Sequence, residues 1–137
     1  MKISPERQFD FWLGEWNAVW DGGRGTNRVE MAFDGKVVME NFTAPDLIGM
    51  SVSCYDPERN LWCQTWVDNT GSYLDFKGGF EDGEMILARD AVVNGERCKQ
   101  RMVWSNVEAG QFDWSWERSD DGGMTWQIRW RIKYTRK

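Results

Sequence analysis

Apolar and polar residues alternate along much of this chain. In Phe112-Asp113-Trp114-Ser115-Trp116-Glu117 every second side chain is aromatic, a period of two that places the rings on one face of a β-strand. The opening differs: Ser4 is a helix-capping residue type and Pro5 suits a first helical position. Phe9, Trp12 and Leu13 then share one face before Gly14 ends the run, which predicts a helix of about two turns. Everything after it reads as strands separated by turns at Asp34-Gly35, Pro57 to Asn60, Asn69-Thr70-Gly71, Asp82-Gly83, Asn94-Gly95, Val107 to Gly110 and Ser119 to Met124. Short turns at regular spacing are the pattern of an antiparallel meander.

Two-residue turns fix register, and register decides which side chains share a face. A turn at Asp34-Gly35 pairs Met31 with Val38, Val29 with Glu40 and Asn27 with Phe42. A turn at Asn94-Gly95 pairs Met85 with Trp104, Leu87 with Met102 and Arg89 with Gln100. Asp82-Gly83 joins Phe80 to Met85 and Phe76 to Arg89, and the turn ending at Gly71 joins Trp66 to Leu74 and Gln64 to Phe76. Trp126, Ile128, Trp130 and Ile132 are expected on the same side as Phe112, Trp114 and Trp116. One join stays open, because a four-residue loop after Asp56 would turn Tyr55 rather than Cys54 to the tryptophan face.

About ten strands with one aromatic face bury that face and remove their edges by closing into a barrel. The expected fold is an all-β, antiparallel up-and-down barrel with a short N-terminal helix, formed by residues 1–137 as a single domain; a two-sheet sandwich is the alternative. Glu40, Gln64, Asp68, Arg89, Gln100 and Arg118 share the aromatic face, with Asp68 and Arg118 toward a rim. Gln64, Phe76, Arg89, Gln100, Trp116 and Ile128 are expected in one tier. Buried charges are stable only when compensated, so one reading is a structural network of Arg89 with Glu40 or Asp68. The other is a pocket in which Arg89, Gln100, Gln64 and Glu40 orient a ligand between walls such as Trp66 and Trp116. Outside, Lys99 is expected to face Glu117 and Asp113 to face Arg131 in a solvated charge ladder.

Composition narrows the chemistry. The 137 residues include 10 Trp, 7 Phe and 3 Tyr, too much apolar bulk for disorder, while 28% charged residues argue against a membrane span. No histidine is present, which removes His-activated nucleophiles, His metal ligands and a proximal haem ligand; no metal and no cofactor is expected. A net charge of −5 disfavours nucleic acid and anionic membranes as partners, leaving small molecules or proteins, with a homodimer open. The opening MKISPERQ holds no apolar run of signal-peptide length, so a cytoplasmic location is expected, with Cys54, Cys63 and Cys98 as free, buried structural thiols.

Ser119, Asp121, Gly123, Thr125 and Trp126 fit S-x-D-x-G-x-T-W and resemble the Asp-box hairpin of sialidase propellers, which implies a structural turn and not glycosidase activity. The opening Phe9-Asp10-Phe11-Trp12-Leu13-Gly14-Glu15-Trp16, with Tyr55-Asp56-Pro57, Trp66-Val67-Asp68-Asn69-Thr70-Gly71 and the late hairpin, resembles a bacterial family of uncharacterised calycin-like proteins. That resemblance implies a lipocalin-like barrel and brings no catalytic residues with it. Haem-binding relatives among ten-stranded barrels use a His ligand, which this chain lacks.

Three functions remain open. The first is a binding or carrier protein for a small hydrophobic or aromatic, anionic ligand that meets Arg89. The second is a cofactor-free isomerase, cyclase or hydrolase with Glu40 or Asp68 as general base and Arg89 stabilising negative charge. The third is a structural or interaction domain with a filled barrel.

Overall fold

The turn residues do what their chemistry allows. Asp34 and Gly35, Asp82 and Gly83, and Asn94 and Gly95 all take positive φ, the left-handed conformation that tight hairpins demand and that Gly, Asn and Asp tolerate. The computed structural model, which describes residues 3–137, has ten strands. These are β1 (Gly14–Trp20), β2 (Gly23–Ala32), β3 (Val37–Thr43), β4 (Ile48–Asp56), β5 (Leu61–Asp68), β6 (Tyr73–Glu81), β7 (Glu84–Val93), β8 (Glu96–Glu108), β9 (Gln111–Ser119) and β10 (Gln127–Arg136). The three turns join β2 to β3, β6 to β7 and β7 to β8. Each strand pairs antiparallel with the next, and β10 returns to β1, so the sheet is a closed barrel rather than a sandwich.

The four hairpin registers read from the turns are present. Val29 opposes Glu40, Arg89 opposes Gln100, Phe80 opposes Met85 and Gln64 opposes Phe76. At the open join, Asp56 closes onto Leu61 across a four-residue loop with Asn60 at positive φ. Tyr55 therefore faces the interior, its ring against Trp62, and Cys54 faces out.

Two irregularities overturn the expected registers around β9. Between Ser105 and Glu108 the β8–β9 ladder shifts, with Asn106 at positive φ, so Arg101 rather than Lys99 opposes Glu117 and Trp116 lies beside Met102, not Gln100. A bulge between Ile128 and Trp130 turns Ile128 outward against Glu117, half exposed, and takes it out of the expected tier. The β10 bulge adds one residue and so reverses the facing of Ile128, whereas the β8–β9 register differs from the expected one by two residues and leaves each side chain on its expected face. The outer charge ladder survives with changed rungs: Arg101 pairs with Glu117 at 2.7 Å, Lys133 with Asp113 at 3.3 Å and Lys99 with Asp90 at 2.7 Å. The first of these is not solvated. Glu117 is buried, takes a second hydrogen bond from Ser115 and lies under the Arg101 guanidinium, which stacks on Trp126 at 4.1 Å. Trp126 is thus an outer-wall residue too.

The helical start is two consecutive 3-10 turns, Pro5–Arg7 and Asp10–Trp12. Pro5 holds the expected first position, while the Ser4 side chain makes no cap. The segment closes one end of the barrel. Phe9 is fully buried edge-on against Trp62 and Trp104, Trp12 meets Trp104, and Trp62 and Trp16 donate their indole N–H groups to the Pro5 and Trp12 carbonyls.

Candidate functional site

With the N-terminal segment at one end, space remains toward the other, where the β3–β4 and β5–β6 loops lie. A cavity of about 210 Å³ runs inward from Leu47, Asp68 and Ser72. Eight aromatic residues line it. Phe76 packs on Trp116, Phe42 and Trp114 pack on Trp130, Trp66 joins them in the lining, and Trp104 and Tyr134 are its most buried rings besides Phe76 and Phe42. The rings support one another edge to face: Phe76 with Trp116 at 5.8 Å, and Trp130 with both Trp20 at 5.2 Å and Trp114 at 5.5 Å. Trp104 keeps a buried indole N–H without a partner.

Only two of the lining residues carry charge, and both are acids. Glu40 is buried on β3. Its carboxylate accepts hydrogen bonds from Ser51 at 2.6 Å and Asn27 at 2.8 Å. Burial raises its pKa above the usual carboxylate range, and those two bonds offset the effect only in part. Tyr134 titrates well above its ordinary value, because of burial and then of the neighbouring Glu40 charge. Asp68, at the rim, behaves oppositely. Partial burial pushes its pKa up, but hydrogen bonds from the Thr70 hydroxyl, the Trp66 indole and the Thr70 and Ser72 amides outweigh it and hold it at about 2. It fixes both its own loop and the Trp66 ring.

The structure divides the six expected site residues. Glu40, Trp66 and Trp116 line the cavity; Arg89, Gln100 and Gln64 do not. Arg89 donates to Gln100 at 2.7 Å, its guanidinium lies 5.9 Å from the centre of the Phe76 ring, and its buried Nε has no partner. It pairs with neither Glu40 nor Asp68, so the expected compensating network is absent. Gln64 donates to Ser53 at 3.0 Å, leaving its carbonyl oxygen unpartnered. Arg118 binds Asp120 at its end of the barrel.

Phe42, Trp114, Trp130 and Tyr134 were missing from the expected site although strand parity already put the first three on the inner face. What parity does not carry is depth along the barrel axis. Gly49, on β4 opposite Asp68, is a further silent contributor: a Cβ there would collide with the Trp66 indole, so glycine lets that ring lie against the wall.

The Asp-box hairpin serves its own loop. Ser119 accepts from the Gly123 amide, Asp121 accepts from the Met124 and Thr125 amides and the Thr125 hydroxyl, and Trp126 donates to the Gly123 carbonyl. These bonds, the Thr125 hydroxyl first, hold the Asp121 carboxyl well below its ordinary range. Among the described residues no group of three or more Cys, Asp or Glu side chains is gathered as a metal site. The chain matches none of the protein-family models or curated proteins it was compared with.

Proposed function

We propose that this protein is a calycin-like binding or carrier barrel for a small, flat, largely apolar molecule whose polar end donates a hydrogen bond to Glu40. The observation that carries this reading is the lining: eight aromatic residues and two acids surround about 210 Å³, with no lysine or arginine among them. An apolar cavity of about 150 Å³ is enough for benzene, so this one suits a molecule of one or two rings. Convergent polar groups at the end of an aromatic slot fix orientation. An anionic ligand, the expectation from sequence, has little support from this lining: it would meet the Glu40 carboxyl and not Arg89. An amine or alcohol would satisfy it.

The test is a titration of intrinsic tryptophan fluorescence with benzylamine, benzyl alcohol and benzoate, which share one ring and differ in the polar end. Benzoate is expected to bind at least about tenfold more weakly than the other two, about 1.4 kcal/mol. Equal or tighter benzoate binding contradicts the assignment of Glu40.

The raised pKa of Glu40 favours a second reading, in which the same carboxyl moves a proton to and from a bound substrate. Solvent-deuterium incorporation into a bound ligand, lost in Glu40→Gln, would distinguish catalysis from carriage.

A further inference from the structure

Cys54 and Cys63, expected from the sequence as buried structural thiols, are not buried. They oppose each other directly across β4 and β5, so both side chains stand on the outer face of the barrel. Cys54 is exposed and Cys63 half buried, whereas Cys98, on β8, is buried. All three are free. Directly opposed residues in an antiparallel pair have Cα atoms about 4.5 or 5.5 Å apart, within the range of about 4.4–6.8 Å that a disulfide spans. The Cβ atoms, about 4.5–5.5 Å apart in such pairs, need close only a little to reach bonding geometry.

The surroundings are not those of two idle thiols. The Arg59 guanidinium, held by Asp56 at 2.7 Å, donates from Nη2 to the Cys63 sulfur at 3.4 Å. On the other side of Cys63, Lys77 is its direct neighbour on β6 and shares the outer face. One guanidinium thus contacts the Cys63 sulfur, and a lysine stands beside Cys63 on the same face of the sheet. Cys54 lies farther from them, and its thiol is pushed up by burial first and then by the negative charge of Cys63 and Asp56.

We infer that Cys54 and Cys63 form a dithiol site that reacts with a small anionic disulfide by thiol–disulfide exchange and closes into a cross-strand bridge. The Cys63 thiolate attacks one sulfur of the disulfide RSSR, the S–S bond breaks, and RS⁻ departs with the electron pair. The Cys54 thiolate then attacks the Cys63 sulfur of the mixed disulfide, and the second RS⁻ leaves. Two cysteine protons end on two RSH molecules; the protein is oxidised by two electrons and the small disulfide is reduced by the same two. Arg59 and Lys77 supply the charge complementarity that selects an anionic partner, and Cys63 is the sulfur beside them.

Glutathione disulfide is the probe. Incubated with the reduced, folded protein and followed by intact mass and peptide mapping, it should yield a species two hydrogens lighter, with the bridge between the peptides carrying Cys54 and Cys63. Cys54→Ser should stop at a glutathione adduct on Cys63, and Cys98→Ser should behave as wild type. Arg59→Ala should slow adduct formation several-fold with glutathione disulfide but not with the cationic disulfide cystamine. Circular dichroism of each variant establishes that it is folded. Adducts that persist on both cysteines without closure, no reaction in folded wild-type protein, or a bridge through Cys98 would overturn the inference.

Discussion

Glu40 is the residue on which the site turns, and its environment makes a signed prediction. Its pKa is raised in the folded state, so the native protein holds this proton more tightly than the unfolded chain does. Stability from this group is therefore full below the ordinary value of 4.5 and falls as pH rises through the folded value, where a buried carboxylate must form. Glu40→Gln keeps the shape and cannot ionise. Its denaturation midpoint should exceed wild type at neutral and alkaline pH and converge with it below pH 4.5; a variant less stable than wild type at pH 8 contradicts the account. Gly49 makes the steric counterpart. Gly49→Ala drives a methyl group into the Trp66 indole, and overpacking of this kind costs about 1–3 kcal/mol. Chemical denaturation should show that loss, and benzyl alcohol should bind more weakly because Trp66 has been pushed into the cavity.

Among the elements, the N-terminal 3-10 turns do more than their length suggests. A six-residue helical start has little stability alone, yet Phe9 and Trp12 are almost wholly buried against Trp62 and Trp104 and so close one end of the barrel. Phe9→Ala should lower unfolding free energy by about 3–5 kcal/mol in urea denaturation. A loss below about 1 kcal/mol would mean that the segment merely rests on the barrel. The hairpins were legible because Asp34-Gly35, Asp82-Gly83 and Asn94-Gly95 are turn dipeptides whose backbone preference sets the pairing of whole strands. The bulges were not. Nothing about Arg129 as a residue type marks an extra position, and Asn106, though tolerant of positive φ, lies inside an otherwise regular strand. At the Cys54–Tyr55 join, the four-residue loop reverses facing relative to an odd-length one, and both were compatible with the residues present.

At the scale of the whole molecule, closure of ten strands leaves a tube that large side chains must fill or leave open. The ten tryptophans do both. Trp12, Trp16, Trp62 and Trp104 are buried near the closed end, while Trp66, Trp114, Trp116 and Trp130 remain only partly buried around the cavity. The inner face was readable from parity, but the level of each residue along the axis was not. Arg89 therefore shared the expected site with Glu40, although the Phe76 ring lines the cavity and Arg89 does not. The most direct test of a ligand site within this barrel is the set of tryptophan indole N–H resonances, recorded by ¹⁵N–¹H correlation as benzyl alcohol is added. Saturable shifts should be concentrated in Trp66, Trp114, Trp116 and Trp130, with Trp12, Trp16, Trp62 and Trp126 unmoved. Shifts confined to Trp126 on the outer wall, or none at concentrations that saturate an apolar cavity of this size, would contradict an open, ligand-binding interior.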